Sequence, residues 1–244
     1  MNDAPQPSRC LIIGATGGIG TALSHRLAAG GWDLALAARS EAKLRDLAAE
    51  VDAEWVTIDA TSFAEIDRAF DAFADITAVV NLVGSIILKP AHATSEDDFQ
   101  KTLDLNLKSA FGVVRAAGRR LRRHGGSVVL SSTCAASVGL ANHEAIAAAK
   151  AGVEGLMRAA AATYASARIR INAVAPGLVR TPLSAHITGN EPALKASLAM
   201  HPLGRIGEPD DIARAIEFLL DPASDWITGQ TIGIDGGLAR VRPR

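Results

Sequence analysis

The sequence predicts an α/β protein: one doubly wound, parallel sheet of about seven strands, folded as a single domain. Three observations predict it. Short apolar runs alternate with amphipathic stretches along the chain. The first apolar run ends in a glycine cluster that opens directly into a helical pattern. No linker, internal repeat or low-complexity segment breaks the alternation over 244 residues, and the ordered core is expected over 8–240.

Composition narrows the function. Hydrophobic residues make up 48% and charged residues 21%, enough for a sizeable core and against disorder. A net charge of −1 with signs interspersed argues against nucleic acid or an anionic membrane as main partner. There is no apolar run long enough for a spanning helix, and the polar amino terminus lacks a signal-peptide core. Cys10 and Cys134 show no paired spacing and lie in apolar contexts, which predicts free, buried thiols and a cytoplasmic protein. No metal site is expected.

The elements follow in order. Residues 10–13 form a buried strand, Gly14, Gly17, Gly18 and Gly20 a turn, and 21–30 a helix. That succession is the phosphate-cradling opening of a Rossmann-type dinucleotide fold. Gly14 permits the tight turn. The bare Gly18 lets a pyrophosphate approach, and Gly20 lets the helix pack closely. Thr16, Gly17 and Ile19 complete a loop whose helix end offers free N–H groups and a positive dipole. The spacing is Gly-x3-Gly-x-Gly, not Gly-x-Gly-x2-Gly, so a ligand-free turn is the competing reading.

Asp33–Ala38 is the second strand, followed by Arg39 and Ser40 where the adenosine ribose lies in such folds. A carboxylate there would grip the 2′-hydroxyl of NAD; a guanidinium pairs with the 2′-phosphate of NADP. Arg39 favours NADP(H) over NAD(H), the alternative being a surface pair with Glu41 or Asp33. Glu41–Val51 is helical. Residues 54–58 are the third strand, and Asp59 either meets adenine or caps the turn before a helix at 63–73. Residues 78–84 read as the fourth strand, with Asn81 requiring buried partners. Residues 95–123 read as a long helical region started by a Ser95 cap. Asn106 within it is expected to hold a water or kink the helix.

Residues 127–130 are the fifth strand, ending in Ser131-Ser132-Thr133 at the edge where ligands bind in parallel sheets. Residues 143–167 form an Ala-rich helix, 168–174 the sixth strand, and Pro176-Gly177 a break. The proline-bearing stretch at 183–207 reads as a substrate or lid segment. Pro209–Leu220 is a helix, 231–235 a seventh strand, and the basic tail 240–244 is expected to fray.

In this order the motifs resemble the short-chain dehydrogenase/reductase family over essentially the whole chain. The matching residues are Gly14-x3-Gly18-x-Gly20, Asp59, Asn81-x2-Gly84, Asn106, Ser131-Ser132-Thr133, Lys150, Asn172-x3-Pro176-Gly177, Gly229-Gln230 and Asp235-Gly236-Gly237. The resemblance implies a pyrophosphate on the glycine turn and an adenine against Asp59 and Ala60. It implies Asn81 and Gly84 lining the adenosine ribose and central strands, and Lys150 on the nicotinamide ribose. Pro176, Gly177, Val179 and Thr181 would face the nicotinamide end. It implies a serine that orients the carbonyl, an asparagine anchoring a relay water, and a tyrosine four residues before the lysine that moves the proton. Homodimers or homotetramers, and a small carbonyl or alcohol substrate, are implied as well.

At the tyrosine position this chain has Ile146, which carries no proton. Its one tyrosine, Tyr164, lies beyond Lys150, about 21 Å along a helix. Counting back from Ile146 selects Thr133 as the orienting hydroxyl; matching the paired serines selects Ser132. His143, Ile146 and Lys150 are spaced i, i+3, i+7, so His143 is a candidate replacement acid or base, unless it caps the helix start. A water held by Asn106 and Lys150 is a further option. Two readings result: an NADP(H)-dependent oxidoreductase with an altered proton donor, or a catalytically silent dinucleotide-binding sensor or partner subunit.

Overall fold

The computed structural model describes residues 9–242. Seven parallel strands form one sheet in the order β3-β2-β1-β4-β5-β6-β7. They are β1 (Arg9–Ile13), β2 (Asp33–Ala38), β3 (Glu54–Thr57), β4 (Ile76–Asn81), β5 (Gly126–Ser131), β6 (Ile169–Pro176) and β7 (Thr231–Ile234). The order reverses between β1 and β4, which opens a crevice at their carboxyl ends.

The central strands β1, β2, β4 and β5 are largely apolar because both faces of the sheet are covered there, whereas the edge strand β3 has no fully buried residue. In β1, Cys10 and Ile12 point to one core, Leu11 and Ile13 to the other. The first core is closed by α1 (Gly18–Ala29), α2 (Glu41–Val51) and α9 (Pro209–Leu220), through Leu23, Leu44 and Ile212. The second is closed by α3 (Phe63–Ala72), α5 (Ser109–Arg120) and α6 (Glu144–Tyr164), through Phe70, Val113 and Met157. The remaining helices are α4 (Glu96–Leu103), α7 (Ala185–Thr188) and α8 (Glu191–Met200).

Several expected boundaries move. β4 stops at Asn81, three residues early, because the Asn81 Oδ1 accepts the Val83 N–H and turns the chain out of the sheet. Its Nδ2 reaches Ser109 at 3.3 Å, tying β4 to α5. β6 runs on through Pro176, its last residues pairing with β7. The helical region at 95–123 is three pieces: α4, a π-helical turn Asp104–Lys108, and α5 with a 3₁₀ end. Ser95 does cap α4, accepting from Asp98 N at 3.1 Å. The cap of α3 is Ser62 and not Asp59. Of the expected 8–240 core, residue 8 lies outside the described residues, as do 243–244 of the tail, whereas Val241 is held by a bond from its N–H to Gly237 O at 2.8 Å.

Gly20 shows how tightly the glycine turn is folded on its helix. A Cβ there would lie 2.4 Å from Gly14 O and 2.6 Å from Ala15 O, both backbone atoms that cannot swing away. Gly155, midway along α6, has nothing within 4 Å of such a Cβ. We expect Gly20→Ala to lower stability by about 3 kcal/mol, a fall of roughly 6–12 °C in Tm. Gly155→Ala should be neutral or raise stability by up to about 1 kcal/mol. Thermal unfolding of the two variants side by side checks the pair.

Candidate active site

The crevice begins at the glycine turn. Gly14 adopts φ +88°, and a Cβ on it would sit 3.0 Å from the Leu82 backbone that leaves β4. Gly17 is the N-cap of α1 and supplies no side-chain cap. Among the described residues, the first-turn amides of Gly18, Ile19 and Gly20 find no protein acceptor. Bare glycine, unsatisfied N–H groups and a helix dipole together fit a diphosphate. Gly18 departs from expectation in one respect: a Cβ on it would meet Thr181 Cβ at 2.9 Å and Pro182 at 3.3 Å, so a following loop already leans over the turn.

On one side of the turn lies a cleft lined by Thr16, Ala38, Arg39, Ser40, Asp59 and Ala60. Arg39 is exposed and, among the described residues, makes no ion pair. Asp33, one suggested partner, instead meets Arg9 at 3.3 Å. Lys43, in the first turn of α2, lines the same cleft. The sequence reading missed it, although its place four residues beyond Arg39 was the signal. Asp59 accepts from Thr61 N and Thr61 Oγ1 at 2.9 and 2.8 Å, and these bonds hold its carboxyl below the usual range. Its carboxylate thus stabilises its own turn, while its position remains on the cleft wall.

On the other side, Asn106, Ser132, Thr133, Ile146 and Lys150 line one pocket together with Gly84, Pro176, Gly177, Val179 and Thr181. Lys150 is buried on α6, and its Nζ donates to Ser131 O at 2.7 Å. Burial lowers its pKa to about 8, because desolvation disfavours the ammonium. The Ser131 carbonyl is a partner that side-chain patterns do not announce. Asn106 sits in the π-helical turn, fully buried. Its Nδ2 donates to Thr102 O at 2.9 Å and Ser85 Oγ at 3.0 Å, and its Oδ1 accepts from Ser85 N at 3.3 Å. The asparagine therefore distorts the helix, as one alternative expected, and retains one Oδ1 lone pair for anything else.

The two hydroxyl candidates separate. Ser132 is buried and donates to Glu154 Oε1 at 2.8 Å, towards the body of α6. Thr133 lies between two compartments, with long contacts of 3.5 Å to Pro176 O and 3.4 Å from Ala135 N. Ile146 is buried in the wall between Thr133 and Lys150. Tyr164 packs far along α6 beside Gly118, where a Cβ would strike its ring at 2.4 Å.

His143 stands just outside the helix its spacing placed it on, though its ring still lines the same compartment as Ile146. Asn142 is left-handed (φ +64°) and His143 has φ −106°, ψ 12°, so the chain is still turning when α6 starts at Glu144. His143 occupies the N-cap position without a side-chain cap; its Nδ1 lies 2.7 Å from Ala141 O. The ring lines a neighbouring compartment that shares Thr133 and Ile146 with the Lys150 pocket. The segment at 183–207 is largely helical, not irregular, and Leu183 borders both the Lys150 pocket and the Arg39 cleft.

Comparison with known proteins agrees with this geometry. A family model described as enoyl-(acyl carrier protein) reductase matches residues 14–239. The chain is 35% identical, over 99% of its length and 100% of the relative's, to the cis-4-hydroxycyclohexanecarboxylate dehydrogenase of Sinomonas cyclohexanicum. It is 32% identical, over 93% of each chain, to the hydroxynaphthalene reductase-like protein Arp2 of Metarhizium anisopliae. Among solved structures, a short-chain type dehydrogenase/reductase from Mycobacterium ulcerans superposes with a TM-score of 0.92 at 31% identity, covering 97% of this chain and 91% of that one. A variant of actinorhodin polyketide ketoreductase solved with NADPH superposes at 0.90 and 27% identity, covering 96% and 98%. No helix among the described residues is long and apolar enough to cross a membrane. With a crevice of this form, a family match over nearly the whole chain and full-length relatives above 30% identity, the chain belongs to the short-chain dehydrogenase/reductase family.

Proposed function

We propose that the chain is an NADP(H)-dependent oxidoreductase that moves a hydride between nicotinamide and the carbonyl or alcohol carbon of a small molecule, with a proton donor other than tyrosine. One observation carries the reading: Asn106, Thr133 and Lys150 converge on a pocket that opens directly onto the unsatisfied amides of the glycine turn. The family binds nicotinamide dinucleotide, which supplies the hydride. The chain's own residues do the rest. Gly18 and Ile19 offer N–H groups to the diphosphate; Asp59 and Ala60 border the adenine, and Arg39, Ser40 and Lys43 the ribose. Lys150 holds the nicotinamide ribose, with its lowered pKa of about 8 leaving most of it cationic at neutral pH. Thr133, rather than Ser132, directs a hydroxyl at the carbonyl oxygen, because the Ser132 proton is engaged by Glu154. His143, whose ring lines the adjoining compartment, is the side chain we assign to exchange a proton with a molecule there.

The silent reading has one observation in its favour, the aliphatic wall at Ile146. Orientation and hydride supply still permit slow turnover, since acid–base assistance contributes about 10²–10⁴ in rate. We also read the protein as a cytoplasmic homodimer or homotetramer. The half-exposed Phe111 of α5 supports packing between copies.

Two measurements test these statements. Arg39→Ala should weaken NADPH binding about tenfold, one charge-assisted hydrogen bond's worth, and leave NADH binding unchanged. An equal loss for both cofactors, or none for either, removes the 2′-phosphate assignment. Steady-state assays with NADPH and a ketone panel should show slow turnover by the parent, and Ile146→Tyr should raise kcat by about 10²-fold. A parent with no turnover, made active by Ile146→Tyr, establishes the silent reading instead.

A further inference from the structure

The compartment next to the Lys150 pocket has an unusual lack of charge. Beyond Thr133, Ile146 and Leu178, which it shares with the Lys150 pocket, its wall is built by Leu88, Leu140, Ile187, Met200 and Leu238. No aspartate, glutamate, lysine or arginine lines it among the described residues. Its polar groups are mostly occupied. His201, buried, has its Nδ1 2.6 Å from Ser197 O while its Nε2 accepts from Leu178 N at 3.2 Å, so the ring is tied at both nitrogens. The His143 ring is tied at Nδ1 by Ala141 O. The Cys134 thiol is pushed up to about 11, first by burial and then by the Asp235 carboxylate, and stays neutral. That carboxylate, held by Gly237 N and Ala239 N at 2.9 Å each, is the charge felt at Cys134, and it is negative.

A carboxylate or phosphate on a molecule in this compartment would leave water for hydrocarbon and find no lysine or arginine among the lining residues. Each effect disfavours it, because a buried charge without a partner is costly. An apolar ring loses nothing there and gains burial. We propose that this compartment takes an uncharged, hydrophobic ketone or secondary alcohol, with its reacting carbon at Thr133, and rejects analogues bearing an anionic group remote from that carbon. This rests on the oxidoreductase reading for what happens to the molecule, but not for which molecule binds.

The test is isothermal titration of the full-length protein, saturated with NADP⁺ or NAD⁺, at pH 8, where an ordinary imidazole is neutral. The probes are 4-isopropylcyclohexanone, 4-oxocyclohexanecarboxylate and the methyl ester of that acid. The isopropyl ketone and the ester should bind, and the acid should bind about 100-fold more weakly than its ester. Leu140→Arg, which brings a cation to the wall, should strengthen binding of the acid at least about tenfold, with unaltered cofactor affinity reporting an intact fold. Acid and ester bound within about threefold of one another, or none of the three bound, would overturn the proposal. Turnover is measured separately. Neutral ketones that bind as predicted but are never reduced by NADPH would count against the oxidoreductase reading and leave the selectivity standing.

Discussion

At the carboxyl end of β1 the backbone turns over itself at Gly14, against the chain leaving β4 on one side and the first turn of α1 on the other. A side chain at Gly14 would be 3.0 Å from the Leu82 backbone, and one at Gly20 would be 2.4 Å from Gly14 O. Those two clearances are what bring β1, β4 and α1 together at the place where the strand order reverses. The crevice there is flanked by the ends of β2, β5 and β6, so Arg39, Thr133 and Pro176 reach it without long loops. The price of the tight turn is a set of helix amides left without protein partners, and that deficit is also what suits the turn to an anion.

The reactive end is organised around α6 and the π-helical turn before α5. Lys150 is held in the pocket by the Ser131 carbonyl, and desolvation lowers its pKa to about 8. Asn106 uses nearly its whole hydrogen-bonding capacity to hold Ser85 and Thr102, which fixes the loop after β4 against the distorted helix. Between these polar groups and the adjoining apolar compartment stands Ile146. The chain thus combines the polar groups assigned under the proposed reading to a carbonyl and a nicotinamide with a hydrocarbon surface at Ile146. The two properties are compatible when the bound molecule is itself apolar and its proton comes from elsewhere.

Much of this was legible in the sequence, for definite reasons. The sheet buries both faces at its centre, so β1, β2, β4 and β5 are largely apolar runs, and the glycine turn declares itself by composition. Errors fell where one hydrogen bond outweighs local pattern. Leu82 and Val83 look like more of β4, but the Asn81 side chain takes the Val83 N–H and diverts the chain. His143 fits a helical period, but Asn142 in the left-handed region puts it outside the helix. Ser132 and Thr133 are not distinguished by spacing, because the acceptor that takes the Ser132 hydroxyl hydrogen bond, Glu154, lies 22 residues away. The Ser131 carbonyl that holds Lys150 is main chain and leaves no mark in residue type. Lys43, in the first turn of α2, lines the Arg39 cleft from outside the strand end where the ribose-facing pattern is read.

The account depends most on the glycine turn accepting a diphosphate while Ile146 faces the reacting end. A crystal structure of the protein grown with NADPH tests both at once. The account predicts the diphosphate against the amides of Gly18 and Ile19, the 2′-phosphate beside Arg39, and the nicotinamide in the pocket bordered by Thr133, Ile146 and Lys150. A dinucleotide bound elsewhere, or a phenolic oxygen from a second copy of the chain delivered beside the nicotinamide, would contradict it.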